Sequence, residues 1–223
     1  MTTQDVNKIS IRLLPDGFSY YNQYHAILPG ADYIQRLEEA LLDAIEAPDQ
    51  PETDVCVCAV DSLRFCLSPL GDEDAMAERL YRFSTPSPDQ DETLLHLKDE
   101  AHGFCFTLGI DSHLYHFLLR NLPEITFTHP LFEFIEQWID KAEVQEDCMV
   151  AQTGSNHLDI LIFKAGKLYL ANRFEAKEAD NILYHLMNCW TQHGLDVIDH
   201  KLYLDTEVAD LKQNIGQYIK QCV

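Results

Sequence analysis

A hairpin-like segment occurs twice in this chain, and a repeat constrains architecture more tightly than composition does. Residues Ile9 to Asn22 read ISIRLLPDGFSYYN, and residues Leu158 to Ala171 read LDILIFKAGKLYLA. The two align without a gap, with Ile9 on Leu158, Ile11 on Ile160, Leu13 on Ile162, Gly17 on Gly166 and Tyr20 on Tyr169. Apolar residues alternate before and after each glycine, as strands with one buried face require. In the first copy, Pro15 fixes φ for the first turn position and Asp16 is suited to bonding nearby backbone groups. Gly17 is expected to take the left-handed position that ends a type I turn with a bulge. The second copy keeps only the glycine, in Lys164-Ala165-Gly166. Two related halves are therefore expected, which sets a fold without setting an activity.

At 223 residues the chain has room for one large domain or two small ones, and 46% apolar residues suffice for a sizeable core. No apolar run approaches the about twenty residues of a membrane span. The polar start MTTQDVNKIS lacks the apolar stretch of a signal peptide, so a cytoplasmic location is expected. Seven scattered cysteines, an odd number, read as reduced and mostly buried thiols. The formal net charge of −21 repels phosphate backbones, which disfavours nucleic acid as a partner. Nine acids crowd between Gly71 and Glu100 and read as a solvated loop and helix surface.

Strands are expected at Ile9–Leu14 and Phe18–Gln23, with an edge strand at His25–Leu28. Ile34, Leu37, Leu41 and Ile45 share a face of a helix over 31–47. Asp54–Val60 and Leu63–Leu67 read as strands joined through Asp61-Ser62, and Glu73–Phe83 as a helix. STPSPDQD reads as a loop. A strand over 103–110 leads to a helix capped by Asp111 or Ser112 and running to Asn121. Ile125–Thr128 is a short strand, and Pro130 suits the first turn of a helix reaching Ala142. The polar stretch 141–147 marks the boundary between lobes at 1–144 and 145–223. Strands then resume at 149–152, 158–163 and 168–174. A helix over 177–193 stops at Gly194, Lys201–Leu204 is a strand, and Glu207–Gln221 a closing helix. Strand pairs feeding helices, twice over, give an α/β fold with mixed sheets and two lobes, the second shortened.

Three stretches carry a family resemblance: ISIRLLPDGFSYYN, LDILIFKAGKLYLANRF, and ADNILYHLMNCWTQHGLD followed by KLYL. On these the chain resembles an uncharacterised Bacteroidetes family, domain of unknown function 3822. The resemblance implies an actin-like ATPase (ribonuclease H-like) fold, the architecture of actin, sugar kinases and Hsp70 chaperones. In that fold duplicated lobes each begin with a β-hairpin, and the hairpin turns face each other across a nucleotide cleft.

An active member of that fold needs an acid, a glycine and a small hydroxyl residue in the first turn, to hold hydrated Mg²⁺ and phosphate oxygens. Here Asp16 and Gly17 are adjacent, Pro15 removes an N–H donor, bulky Phe18 follows the glycine, and Ser19 comes one residue later. The turn at Gly166 has neither acid nor hydroxyl, although Lys164 supplies a point charge. Thr153, Gly154, Ser155 and Asn156 form a cluster of the kind that aims N–H donors at a phosphate, and read more simply as a turn. His113 and His116 are two potential ligands where a tetrahedral metal site needs three or four, and Cys56 and Cys58 alternate within an apolar strand. No P-loop, nucleophile elbow or dinucleotide glycine motif is present.

The expectation is a degenerate, non-catalytic actin-like module that binds other proteins, with no catalytic residue, no metal site and no cofactor, and with a homodimer as one form. The alternative is a divergent ATPase or kinase binding ATP and Mg²⁺ through Asp16, Gly17, Ser19, Thr153, Gly154, Ser155, Asn156, Lys164 and Gly166.

Overall fold

The computed structural model describes residues 8–21, 23–47, 55–71, 74–85, 91–122 and 124–223. The chain divides into two compact units, 1–130 and 131–223, so the division falls ahead of the polar 141–147 stretch.

The first unit opens with β1 (Lys8–Leu14), β2 (Gly17–Tyr20) and β3 (Gln23–Ala26), an antiparallel meander. Ile11, Leu13, Phe18 and Tyr20 are buried while Arg12 is exposed, the alternation that a one-sided sheet dictates. α1 (Tyr33–Ile45) buries Leu37, Leu41 and Ala44 at helical spacing. β4 (Val55–Val60) returns parallel to β1, and β8 (Ile125–Thr128) lies parallel to β4. The resulting order is β3-β2-β1-β4-β8.

Between β4 and β8 the chain makes a second, three-stranded sheet. β5 (Phe65–Pro69), α2 (Asp74–Ser84), β6 (Glu92–Asp99) and β7 (Phe104–Asp111) form it, in the order β5-β7-β6. Two expectations are corrected here. The Asp61-Ser62 pair does not turn β4 back on itself, because β5 pairs with β7 in the other sheet. The acidic stretch is no mere loop and helix surface, because TLLHLK within it forms β6, antiparallel to β7. Strand formation there is stabilised by pairing that local composition does not reveal. The STPSPDQD loop falls largely outside the described residues.

The insert has a polar anchor. Glu92 is almost wholly buried, with Arg64 Nη2 at 2.8 Å from its Oε1, and Tyr81 donates to the same oxygen at 2.8 Å. Burial and that carboxylate raise the Tyr81 pKa, so the phenol stays a donor. Gly109 is what admits the cluster, since a Cβ there would collide with Glu92 and the Tyr81 hydroxyl. α3 (Ser112–Asn121) then begins with Asp111 accepting from Leu114 N at 3.0 Å, the expected cap.

The second unit carries α4 (Pro130–Trp138), which starts at the boundary and is shorter than expected, then a 3-10 turn at Ala142–Val144. β9 (Cys148–Thr153), β10 (His157–Lys164) and β11 (Lys167–Glu175) form an antiparallel meander. α5 (Ala179–Gln192) ends as expected at Gly194, whose φ of +67° suits a helix stop. β12 (Lys201–Asp205) lies parallel to β9, and β13 (Gln221–Cys222) parallel to β12. The order is β11-β10-β9-β12-β13. The expected closing helix is cut to α6 (Leu211–Ile215), because the last residues pair with β12 instead. Leu211, Ile215 and Ile219 still reach the core beside Ile182, Leu186 and Trp190.

The two five-stranded sheets share one order and one set of strand senses: a meander of three, then two parallel strands beyond the first strand of the meander. The aligned segments do not stand at equivalent places in it. Ile9–Leu14 is β1, the first strand of its meander, with β4 parallel beside it. Leu158–Phe163 belongs to β10, the second strand of its meander, antiparallel to both neighbours. Gly17 and Gly166 therefore cap different ribbons. The counterpart of the β1–β2 turn is the turn between β9 and β10, residues 154–156.

Among the described residues no helix is long and apolar enough to cross a membrane. All seven cysteines are free, and only Cys66 and Cys222 escape full burial. Burial pushes the Cys56 and Cys148 thiols up to about 11 and raises Cys58, Cys105 and Cys189 as well. An aromatic disulfide reagent near pH ~8 should label at most Cys66 and Cys222 within minutes, because attack needs an accessible thiolate. All seven should react in denaturant. Rapid labelling of Cys56 or Cys148 in the folded chain would contradict this core.

Candidate functional site

The β1–β2 turn is built into its sheet. Leu14 pairs with Gly17, so the turn has two central residues, Pro15 and Asp16. Gly17 is the first residue of β2 and pairs with Ala26 of β3 on its other side. Its φ is +152°, a region only glycine visits easily, and not the left-handed turn position expected from sequence. A Cβ would also collide with the His25 carbonyl oxygen. The glycine thus serves close approach of β3 and positive φ together.

The carbonyls of this turn are occupied as well. Asp16 O accepts from Ile27 N at 2.8 Å and from Tyr24 Oη at 3.1 Å, and Leu14 O accepts from Tyr33 Oη at 3.1 Å. Burial and the nearby Asp16 charge raise the pKa of Tyr33, which favours the donor form. Phe18 turns into the core and stacks on His25, with ring centroids 4.6 Å apart. Ser19 faces the opposite way, half-buried, and the Asp16 side chain is exposed. The turn therefore presents one carboxylate and, with Pro15 lacking an N–H, few backbone donors.

The β9–β10 turn is more open. Gly154, Ser155 and Asn156 are exposed. Gly154 N donates to His157 O at 2.8 Å, Thr153 Oγ1 donates to Thr206 Oγ1 at 2.8 Å, and Ala176 N donates to Asn156 O at 3.0 Å. The His157 ring lies over Gly154, where a Cβ would strike it.

Lys164 and Gly166 lie at and just past the far end of β10, eight residues long, hence about 25 Å from this turn. Gly166 follows Ala165, and both have positive φ, as a type I′ hairpin requires. Lys164 Nζ donates to His193 O at 2.8 Å and sits 4.3 Å from the Tyr169 ring centroid. Its charge thus meets the C-terminal end of α5, where cations are favoured. The nine sequence candidates are distributed over three turns, of which two are topological counterparts.

Beneath the β9–β10 turn is a buried network that the sequence reading missed. Asp159 is fully buried and pairs in register with Arg173 on β11. Arg173 Nε and Nη2 reach its two carboxylate oxygens at 2.6 and 2.7 Å. Gln152 Nε2 donates to Oδ2 at 3.0 Å, and His157 Nε2 stands 3.8 Å from it. The available signal was an acid in the middle of an apolar strand, LDILIF, opposite an arginine once the hairpin register is drawn.

The other sequence candidates resolve simply. Cys56 and Cys58 are core residues of β4. His113 and His116 are exposed on α3 around a hollow of about 270 Å³ shared with Glu38, Asp91 and Arg120. Among the described residues no three His, Cys, Asp or Glu side chains are grouped to hold a metal ion.

A family model described as "Protein of unknown function (DUF3822)" matches residues 1–222. The chain belongs to that family. A Bacteroides thetaiotaomicron protein with an actin-like ATPase fold and unknown function is similar in structure, with a TM-score of 0.79 at 24% identity. The match covers 99% of this chain and 93% of that one. A chain from a PilM–PilN type IV pilus biogenesis complex matches with a TM-score of 0.57 at 11% identity, over 96% of this chain and 84% of that one. No curated protein matches the sequence. The family member thus has an actin-like ATPase fold, as the resemblance implied.

Two stability measurements check this geometry. Gly17→Ala should cost at least about 2 kcal/mol through strained φ and the clash with β3, against about 1 kcal/mol for Gly103→Ala. Gly103 has a φ of +73°, and a Cβ there would meet no atom within 4 Å. Asp159→Ala should cost about 3–5 kcal/mol in urea unfolding by stranding the Arg173 charge, and Asp159→Leu with Arg173→Met together should cost less. Additive losses would argue that the pair is not coupled.

Proposed function

We propose that this family member is a non-catalytic actin-like module that works by binding other proteins. The observation that carries the reading is the first turn: Gly17 is paired on both sides, the Leu14 and Asp16 carbonyls are occupied, and Pro15 lacks a donor. A phosphate-cradling turn needs several backbone N–H groups aimed outward, with a small residue after the glycine. This turn has a bulky Phe18 after the glycine and is one N–H short at Pro15. We infer further that the two sheets of identical order arose by duplication, with the β9–β10 turn as counterpart of the first. That second turn has no acid. The pilus-complex relative, whose fold is similar, occurs in a complex with another protein, which agrees with a binding role.

The alternative keeps one specific support. Gly154, Ser155 and Asn156 are exposed beside half-buried Thr153, and the turn sits at the topological place where an actin-like relative would contact phosphate. In that version Ser155 and Asn156 would supply polar groups to a phosphate.

Thermal denaturation with and without ATP and Mg²⁺ separates the readings. A ligand at a hundredfold excess over its Kd stabilises by about 2.7 kcal/mol, which for a chain of this size is a rise of about 5–10 °C. The proposal predicts a shift below about 1 °C. A saturable rise that Asp16→Ala or Ser155→Ala abolishes would replace the proposal with the nucleotide-binding alternative.

A further inference from the structure

α5 turns one face to the core and leaves the other as an open groove. Ile182, Leu186, Cys189 and Trp190 point inward and are buried. Asp180, Leu183, Tyr184, Met187, Asn188 and Thr191 fall at positions i, i+3, i+4, i+7, i+8 and i+11, one stripe of the helix. With Tyr218 from the closing segment, they line a depression of about 610 Å³. Leu183 and Met187 pack partly against the core and form the floor. Tyr184 and Tyr218 stand as walls, 64% and 51% exposed. The stripe spans about three helical turns, the length over which a docked helix presents its anchors.

Charge selects among occupants. The described lining includes one carboxylate, Asp180, and no basic side chain. The whole chain carries a net −21, so a second copy would bring like charge to the same surface, whereas a basic segment is drawn in. Tyrosine faces attract Lys and Arg side chains, and a flexible methionine floor adapts to varied apolar anchors.

We propose that the α5 groove docks a basic amphipathic helix of a partner protein. Leu and Met-like anchors lie on Leu183 and Met187, and a Lys or Arg is held between Asp180 and Tyr184. This rests on the protein-binding reading above and names its surface.

The test uses the full chain and a fluorescein-labelled helical peptide of Leu and Lys, patterned with one apolar face, beside a Leu/Glu peptide of the same pattern. Fluorescence anisotropy should show binding of the Lys peptide and at least tenfold weaker binding of the Glu peptide. Tyr184→Ala with Tyr218→Ala, both exposed, should weaken the Lys peptide at least tenfold. Asp180→Lys should do the same, while Asp43→Lys, an equal charge change on exposed α1, should leave it nearly unchanged. Hydrogen exchange should slow over 180–191 on binding. Equal losses for Asp180→Lys and Asp43→Lys would reduce the effect to bulk charge and overturn the groove. So would no binding, or a wild-type dimer in sedimentation that the tyrosine double variant makes monomeric. Those results leave the protein-binding reading standing, whereas nucleotide stabilisation removes that reading whether or not the peptide binds.

Discussion

The close approach of β3 to the start of β2 is the constraint from which the account of the first unit follows. Only a residue without a Cβ fits beneath the His25 carbonyl, and only glycine accepts the φ of +152° there. Once Gly17 is drawn into the ladder, its backbone belongs to the sheet and Phe18 must alternate into the core. The tyrosines at 24 and 33 then close over the remaining carbonyls. The turn thereby holds three strands together.

The second unit shows the same sheet order with a different solution at its first turn. Its meander is held below by the Asp159–Arg173 pair and leaves residues 154–156 exposed above. A buried ion pair is costly to form and costlier to break, and this one ties β10 to β11 at the register position Asp159–Arg173. That register in turn sets where the β9–β10 turn projects. The extra length of the first unit lies in the β5-α2-β6-β7 insert, anchored through Arg64, Glu92 and Tyr81.

Much of this was legible in the sequence because short-range chemistry governs it. The Asp111 cap, the Gly194 stop, the strand at Ile125–Thr128 and the inward stripe of α5 all follow from periodicity and capping residues. What escaped depends on pairing over long distances. β6 carries no clean alternation and exists because β7 offers it a partner. The tail of the closing helix was lost to β12 for the same reason. The repeat itself misled by one strand. β1 and β10 are both apolar and alternating and are followed by a glycine near a turn, yet one opens its meander and the other is its middle strand. Local pattern encodes a hairpin but not its place in the sheet order. The site suffered likewise: Lys164 looked available for phosphate until the fold put the end of α5 beside it.

The most direct test of the account is amide hydrogen exchange of the segment spanning Leu14 to Ala26, with and without ATP and Mg²⁺. If the first turn is committed to its sheet, the Gly17 and Phe18 amides exchange slowly and at the same rate under both conditions. Fast exchange that nucleotide slows would show a turn open to phosphate, and would contradict the claim that its backbone serves the fold alone.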